Sequence, residues 1–276
     1  MNFDLAGALW PAVPDQGFVL AVFLLSLRLS AVFLLTPVLY AFSVPATARL
    51  LVVIGLAAGL AFGIPAAQTH ELLLMNGGQL LAASLKELAL GATLALGILT
   101  AFAAISMAGR FIDVQIGFGI AQVFDPVTQR QVPVLTSAFD KLGVIAFFLV
   151  DGHHALLRGI AYSLERFPLG RTWPLEAAAP FVIRQVAGLF GLALALAAPV
   201  VVCLLMVELA LGVVARNLPQ MNIFVVGLPI KIIVGLAALS LWLAGAGDTM
   251  NRLYGSIYRT WGAVFAIAPA PAARTR

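Results

Sequence analysis

GFVLAVFLLSLRLSAVFLL, residues 17–35, is long enough to cross a bilayer and carries Arg28 near its middle. A spanning helix needs about 20 predominantly apolar residues. A charge at its centre costs about 2.5–3.5 kcal/mol on insertion scales. A second run, Ile223–Ala246, encloses Lys231 in the same way. Charged helices of this kind turn their polar side toward other protein or toward a water-filled path. The two runs point to a subunit of a larger assembly or to a channel, and away from a simple anchored enzyme.

Composition agrees. The chain is 62% hydrophobic and 10% charged, where soluble domains run near about 45–50% and 25%. Most of its 276 residues must therefore be covered by lipid or by protein. The net charge of +4 is scattered, and its densest part is the C-terminal segment with Arg252, Arg259, Arg274 and Arg276. These read as cytoplasmic flanking charge. No basic cluster is interleaved with aromatics, so nucleic acid is not an expected partner. Cys203 is the only cysteine, which excludes an internal disulfide and a cysteine-based zinc site. Asp4 and Asp15 precede the first apolar run without any Lys or Arg. A secretory signal needs a basic start, so that run is expected to stay in the mature protein.

Working outward, the apolar runs of spanning length are Gly17–Leu35, Leu50–Ala67, Leu88–Ala108, Val186–Val207 and Ile223–Ala246. A shorter one, Leu142–Val150, is bounded by Asp140 and Lys141 on one side and Asp151 on the other. Extending it back through Pro133–Phe139 would bury that charged pair. A basic C-terminus inside and an N-terminus outside require an odd number of crossings, which five satisfies. Pro37 and Pro65 are expected to end helices. Pro199 and Pro229 lie within runs, where each removes a backbone donor. Such a break survives in lipid only when protein or water satisfies the freed carbonyls. Pro229, two residues before Lys231, predicts a broken helix packed against protein. No internal repeat is evident.

Three segments between the runs carry the informative residues. GRFIDVQIGFGIAQVFDPVTQRQVP, residues 109–133, sets Gly109, Gly117 and Gly119 among bulky apolar side chains and ends at Asp125-Pro126, a turn-forming pair. Val114–Phe124 is too apolar for an exposed loop and too rich in glycine for a firm helix. A mobile apolar loop that plugs a passage fits this chemistry, and so does an ordinary re-entrant or interfacial segment. Asp151-Gly152-His153-His154 invites a metal or proton-relay reading. Zinc needs further ligands, the only other histidine is His70, and helical neighbours point in different directions. Capping or interface packing is the expectation, with no metal and no cofactor. RNLPQMNIFVVGLPIK, residues 216–231, follows Glu208 and supplies Asn217, Gln220 and Asn222 around Pro219. It reads as the amide-rich tip of a helical hairpin and a docking surface. No nucleophile elbow, phosphate-binding loop, paired metal helix motif or dinucleotide fingerprint is present. Catalysis is not expected.

Together these segments resemble the FliR family, flagellar biosynthetic proteins of the type III export gate. The resemblance is carried by Asp113–Gln115, Gly117-Phe118, Phe124-Asp125-Pro126, Pro133 and Asp151–His154. It continues through Ser163, Pro168, Gly170 and Ala198-Pro199 to Leu209–Gly212, Arg216, Pro219–Asn222 and Gly227–Pro229. It covers residues 17 to 260, and the related injectisome export subunits share it in part. It implies an all-α, polytopic membrane-associated protein with kinked helices and helical hairpins, held in a helical export-gate assembly in the flagellar basal body at the bacterial inner membrane. Residues 1–135 would form a FliP-like half and 136–262 FliQ-like hairpins. The short Ala/Pro-rich tail, 263–276, takes nothing from the family. The implied partners are FliP-like and FliQ-like subunits, an FlhB-like switch protein and unfolded export substrates, in a hetero-oligomer. The family's plug loop falls at 109–124, placing Gly109, Asp113, Gln115, Gly117, Phe118, Gly119, Ile120 and Phe124 in it. Arg28, Glu208, Arg216, Pro219, Gln220, Asn222 and Lys231 become candidates for subunit interfaces. The competing readings are an injectisome export subunit, a small secondary transporter using Arg28, Lys231 and Glu208, which lacks the inverted repeats expected of one, and an intramembrane metal enzyme at Asp151, His153 and His154, which lacks a full ligand set.

Overall fold

The computed structural model describes residues 15–38, 44–118, 122–125, 130–171, 175–218, 220 and 222–266. Among them are nine helices and one short hairpin. In chain order these are α1 (Gln16–Leu35), α2 (Ala46–Ala61), α3 (Ala66–Leu73), α4 (Gly77–Ile116), β1 (Gln122–Asp125), β2 (Arg130–Pro133), α5 (Val134–Leu149), α6 (Gly152–Arg166), α7 (Leu175–Asn217), α8 (Ile223–Gly245) and α9 (Gly247–Ala266). The chain is an all-α membrane protein with one antiparallel insertion, in which Gln122 pairs with Pro133 and Asp125 with Arg130.

Four helical stretches are long and apolar enough to span a bilayer: Gln16–Leu35, Gly77–Ile116, Ala179–Asn217 and Val225–Gly245. The second apolar run of the sequence is not one straight span. It breaks into α2 and α3, bent by 115° at the turn before Pro65. Pro65 therefore ends a helix, as expected, and it stands at the N-cap of α3. Pro37 follows the end of α1 in the same way. Pro180 and Pro199 lie inside α7, and Pro229 lies inside α8. The short sixth run does extend back to Val134 and takes Asp140 and Lys141 into α5. Asp140 accepts a hydrogen bond from the Ser106 hydroxyl, which offsets its partial burial.

Helix α4 has 40 residues, a length of about 60 Å at 1.5 Å per residue, twice the roughly 30 Å hydrocarbon core. Its start is fixed by a reciprocal cap. Asn76 Oδ1 accepts from Gln79 N at 2.8 Å, and Gln79 Oε1 accepts from Asn76 N at 2.9 Å.

The chain forms two compact units. The first comprises residues 1–96, 157–178 and 264–276. In it α1 packs on α2 and α3 and buries Ala21, Leu24, Leu25, Leu29 and Val32, one helical stripe, while Val19 and Phe23 on other sides stay exposed. A Cβ on Gly17 would come within 2.6 Å of the Thr69 carbonyl oxygen, and one on Gly91 would meet that of Arg28. Only glycine permits these close backbone approaches.

The second unit comprises residues 97–156 and 179–263. Its core is an aromatic cluster in which Phe102, Phe147 and Tyr254 place their ring centroids 5.5–5.9 Å apart. The Tyr254 hydroxyl donates to the Gly143 carbonyl at 2.6 Å, and that of Tyr258 donates to Gly152 at 3.2 Å. Burial pushes both phenols above their usual range, and Tyr258 adds to the effect at Tyr254. Both therefore stay neutral donors.

Candidate functional site

One residue near the end of α4 caps the start of α5. Helix α4 runs on through Ile116, so Gly109, Asp113 and Gln115 are helical and do not belong to a loop. That corrects the sequence expectation for residues 109–116. The glycine content that argues against a helix belongs to Val114–Phe124, whose Gly117 and Gly119 lie past the end of α4; only Gly109 lies within 109–116, and burial outweighs its propensity cost of about 1 kcal/mol. Gly109 serves packing instead, since a Cβ there would lie 2.9 Å from Thr136 Cα. The close approach lets a short side chain reach across. Helix α5 begins after Pro133, which offers no side-chain cap. Its second and third amides would be orphaned without an acceptor. The fully buried Asp113 supplies one. Its carboxylate accepts from Leu135 N at 3.0 Å, Thr136 N at 2.7 Å and Thr136 Oγ1 at 2.7 Å. An anion at a helix N-terminus is also favoured by the helix dipole.

The segment leaves α4 at Gly117, whose φ of +99° belongs to the region glycine tolerates. A Cβ there would also come within 2.6 Å of Leu228 Cδ1 on α8. Phe118 is half-buried. Gly119 and Ile120 lie outside the described residues, and Phe124 falls in β1.

The two charges that opened the reading both have carboxylate partners. Arg28 is 1% exposed. Its Nε donates to Glu87 Oε2 at 2.6 Å, its Nη1 to Ser163 Oγ at 3.1 Å and its Nη2 to the Phe167 carbonyl at 3.0 Å. That carbonyl lies just past the end of α6, where a cation is electrostatically favoured. Arg28 was an interface candidate on sequence alone, yet its own chain satisfies it. Lys231 Nζ bonds Glu208 Oε1, and both side chains are partly exposed, at 25% and 38%. Leu205 and Leu209 of α7 and Ile233 and Leu236 of α8 are also exposed. Arg216, Gln220 and Asn222 are exposed. Pro219 lies outside the described residues.

Asp151 and the histidines come closer than expected. Their ligand atoms lie within 4.8 Å of one another, the one such triad among the described residues. The imidazoles do not diverge as helical neighbours were expected to: their centroids are 4.1 Å apart. The His154 Nδ1 to Asp151 Oδ1 distance is 3.2 Å. Asp151 adopts φ 55° just ahead of α6, which turns its carboxylate back over the first helical turn. Three donors at this spacing could meet one ion, but Asp151 and His154 are strongly exposed, so water competes for the site.

Sequence reasoning missed Glu87 and Thr136. Glu87 stands beside Lys86 at the edge of an apolar run, where a carboxylate reads as a helix-flanking charge. Thr136 had no signal beyond its place three residues after Pro133.

The profile described as "Bacterial export proteins, family 1" matches residues 19–257. The chain belongs to the FliR family of bacterial export proteins. "Flagellar biosynthetic protein FliR" of Escherichia coli strain K12 is 30% identical over 234 residues, 84% of this chain and 87% of that one. The protein of the same description from Bacillus subtilis strain 168 is 41% identical over 157 residues, 56% of this chain and 61% of its own length. The chain thus spans somewhat under two thirds of the Bacillus FliR but most of the Escherichia one. "Secretion system apparatus protein SsaT" of Salmonella typhimurium is 25% identical over 139 residues, about half of each chain. The capped α4–α5 junction, the Arg28 cluster and the Lys231–Glu208 pair all lie inside the stretch matched by the FliR-family profile.

Proposed function

We propose that this chain is a core subunit of the flagellar type III protein export gate and works without catalysis, as part of a secretion pore. The observation that carries this reading is the family match across residues 19–257, joined by flagellar relatives of higher identity than the secretion-apparatus ones. An injectisome export subunit is the second reading, favoured only by that weaker likeness.

In this reading the chain sits in the inner membrane with FliP-like, FliQ-like and FlhB-like partners. Residues 1–135 play the FliP-like part and 136–262 the FliQ-like part. The Lys231–Glu208 pair supports burial against protein. A partly exposed ion pair on an apolar helical face is costly against lipid and tolerable against polar groups of another subunit. The segment beginning at Gly117 acts as the plug. Its apolar side chains exclude water and hydrated ions when closed and yield to an unfolded substrate.

The direct test is genetic. Deleting the gene in its own host should abolish secretion of hook and filament proteins, and the intact chain supplied in trans should restore it. Normal flagellar secretion in the deletion strain, with loss of another export process, would overturn the flagellar reading.

A further inference from the structure

We propose that a groove in the first unit binds a zwitterionic phospholipid headgroup of the ethanolamine class. The proposal stands on the membrane reading of the chain and is independent of the export reading. The groove has a volume of about 400 Å³ and lies among α3, the first turns of α4 and the turn at Gly170. That volume falls within the roughly 300–1,000 Å³ of small-ligand sites. Two opposite charges line it, Glu71 of α3 and Lys86 of α4. Among the described residues, neither side chain takes part in a hydrogen bond or an ion pair, so the two do not neutralise each other. The adjacent carboxylate, Glu87, is held by Arg28. Lys86 is half-buried, where a cation without a counter-charge is costly. Gln79 also lines the groove. Its carbonyl oxygen accepts from the Asn76 amide, which leaves its NH2 group to donate. Met75 lies against Gly170. A Cβ there would come within 2.5 Å of Met75 Cε, and φ is +75°, so glycine is what permits this wall of the groove.

Position along the chain sets the depth. Lys86 stands two residues before the apolar run Leu88–Ala108, and Glu71 stands four residues after the run that ends at Ala67. Charges that flank apolar runs in this way sit at headgroup level. Leu81, Leu85 and Leu88 are exposed at i, i+4 and i+7 of α4. They form an apolar stripe that leads from the level of Lys86 into the run, along which an acyl chain can lie. A site with one cation and one anion disfavours ligands of a single sign, since an anionic headgroup meets Glu71 and a cationic one meets Lys86. Phosphoethanolamine carries both signs. Its phosphate takes Lys86 Nζ and the Gln79 amide, and its primary ammonium donates to the Glu71 carboxylate. Phosphocholine carries the same charges but has no N–H to donate, so the groove holds it less tightly.

The experiment uses the full chain together with the subunits that co-purify with it, stripped of lipid in mild detergent. The sample is titrated with dioleoyl phosphatidylethanolamine, phosphatidylcholine or phosphatidylglycerol, and native mass spectrometry counts bound lipid per copy of this chain. We expect one phosphatidylethanolamine per copy, bound about tenfold more tightly than either of the others, the weight of one charge-assisted hydrogen bond. Glu71→Ala should erase the preference over phosphatidylcholine. Lys86→Gln should weaken both lipids about tenfold. Neither side chain is bonded within the chain, so both variants should be recovered at normal yield. If one is not, the other decides by the same comparison. Equal affinity for phosphatidylethanolamine and phosphatidylcholine, tighter binding of phosphatidylglycerol, or a preference that survives in the variants would overturn the proposal. A sample that takes up no lipid at this stoichiometry would overturn it too, the groove then being closed by a partner subunit. The export reading survives each of these results.

Discussion

Arg28 Nε and Glu87 Oε2 lie 2.6 Å apart, with the two side chains 1% and 4% exposed. The pair sits on α1 and α4, and Ser163 and the Phe167 carbonyl complete the guanidinium's bonds. The charge that makes α1 an expensive lone span is thereby an internal tie of the first unit. Breaking such a pair from one side leaves the other charge buried and uncompensated.

Arg28→Leu and Glu87→Leu should therefore each destabilise the chain by about 3–5 kcal/mol. The double variant should lose less than the sum of the two. Thermal unfolding of the purified complex and its yield give the comparison. Single variants as stable as the unchanged protein would mean that the pair is incidental.

The Lys231–Glu208 pair is partly exposed and should weigh less, about 1 kcal/mol or below in water. Its effect should appear on assembly. Lys231→Leu should reduce recovery of the complex although it eases insertion into lipid. Exchanging the charges, Glu208→Lys with Lys231→Glu, should recover most of the loss. Full assembly and motility with Lys231→Leu would count against burial of this face by a partner.

Gly117 combines a φ of +99° with contact to Leu228. Gly117→Ala should cost about 1–2 kcal/mol through backbone strain alone, with the Leu228 clash in addition. Leu228→Ala should relieve the second part and not the first. The check is the melting temperature of the two single variants and the double. A fully restored double variant would show that the backbone conformation is not strained.

Asp151, His153 and His154 approach one another closely enough for one ion, yet Asp151 and His154 stay strongly exposed. Replacing both histidines by Gln should leave assembly and secretion unchanged with and without chelator. Elemental analysis of the complex should find no stoichiometric zinc, copper or nickel. A metal that is bound one to one and lost in the double variant would make this triad a site.

Much of the architecture could be read from the residues because bilayer physics is blunt. Apolar length gave four of the five expected spans, the second run being bent into α2 and α3, and Pro37 and Pro65 gave helix ends. The cost of Arg28 and Lys231 demanded carboxylate or carbonyl partners. What could not be read depends on distant pairing. Nothing local in Lys86-Glu87 announces that Glu87 meets Arg28, 59 residues earlier in the chain. The stretch from Val114 reads as too rich in glycine for a firm helix because propensity is local, whereas tertiary packing buries Ile112 and Ile116 and carries α4 on to Ile116. Asp113 looked like part of a loop because the helix end it caps lies beyond a hairpin.

The most direct test of the account is purification of the tagged full-length chain, alone and with FliP-like and FliQ-like subunits, in mild detergent. The account predicts a complex of defined mass containing all of them, and an unstable, aggregating species when the chain is expressed alone. A monodisperse, thermally stable monomer or homo-oligomer that ignores those subunits would contradict it.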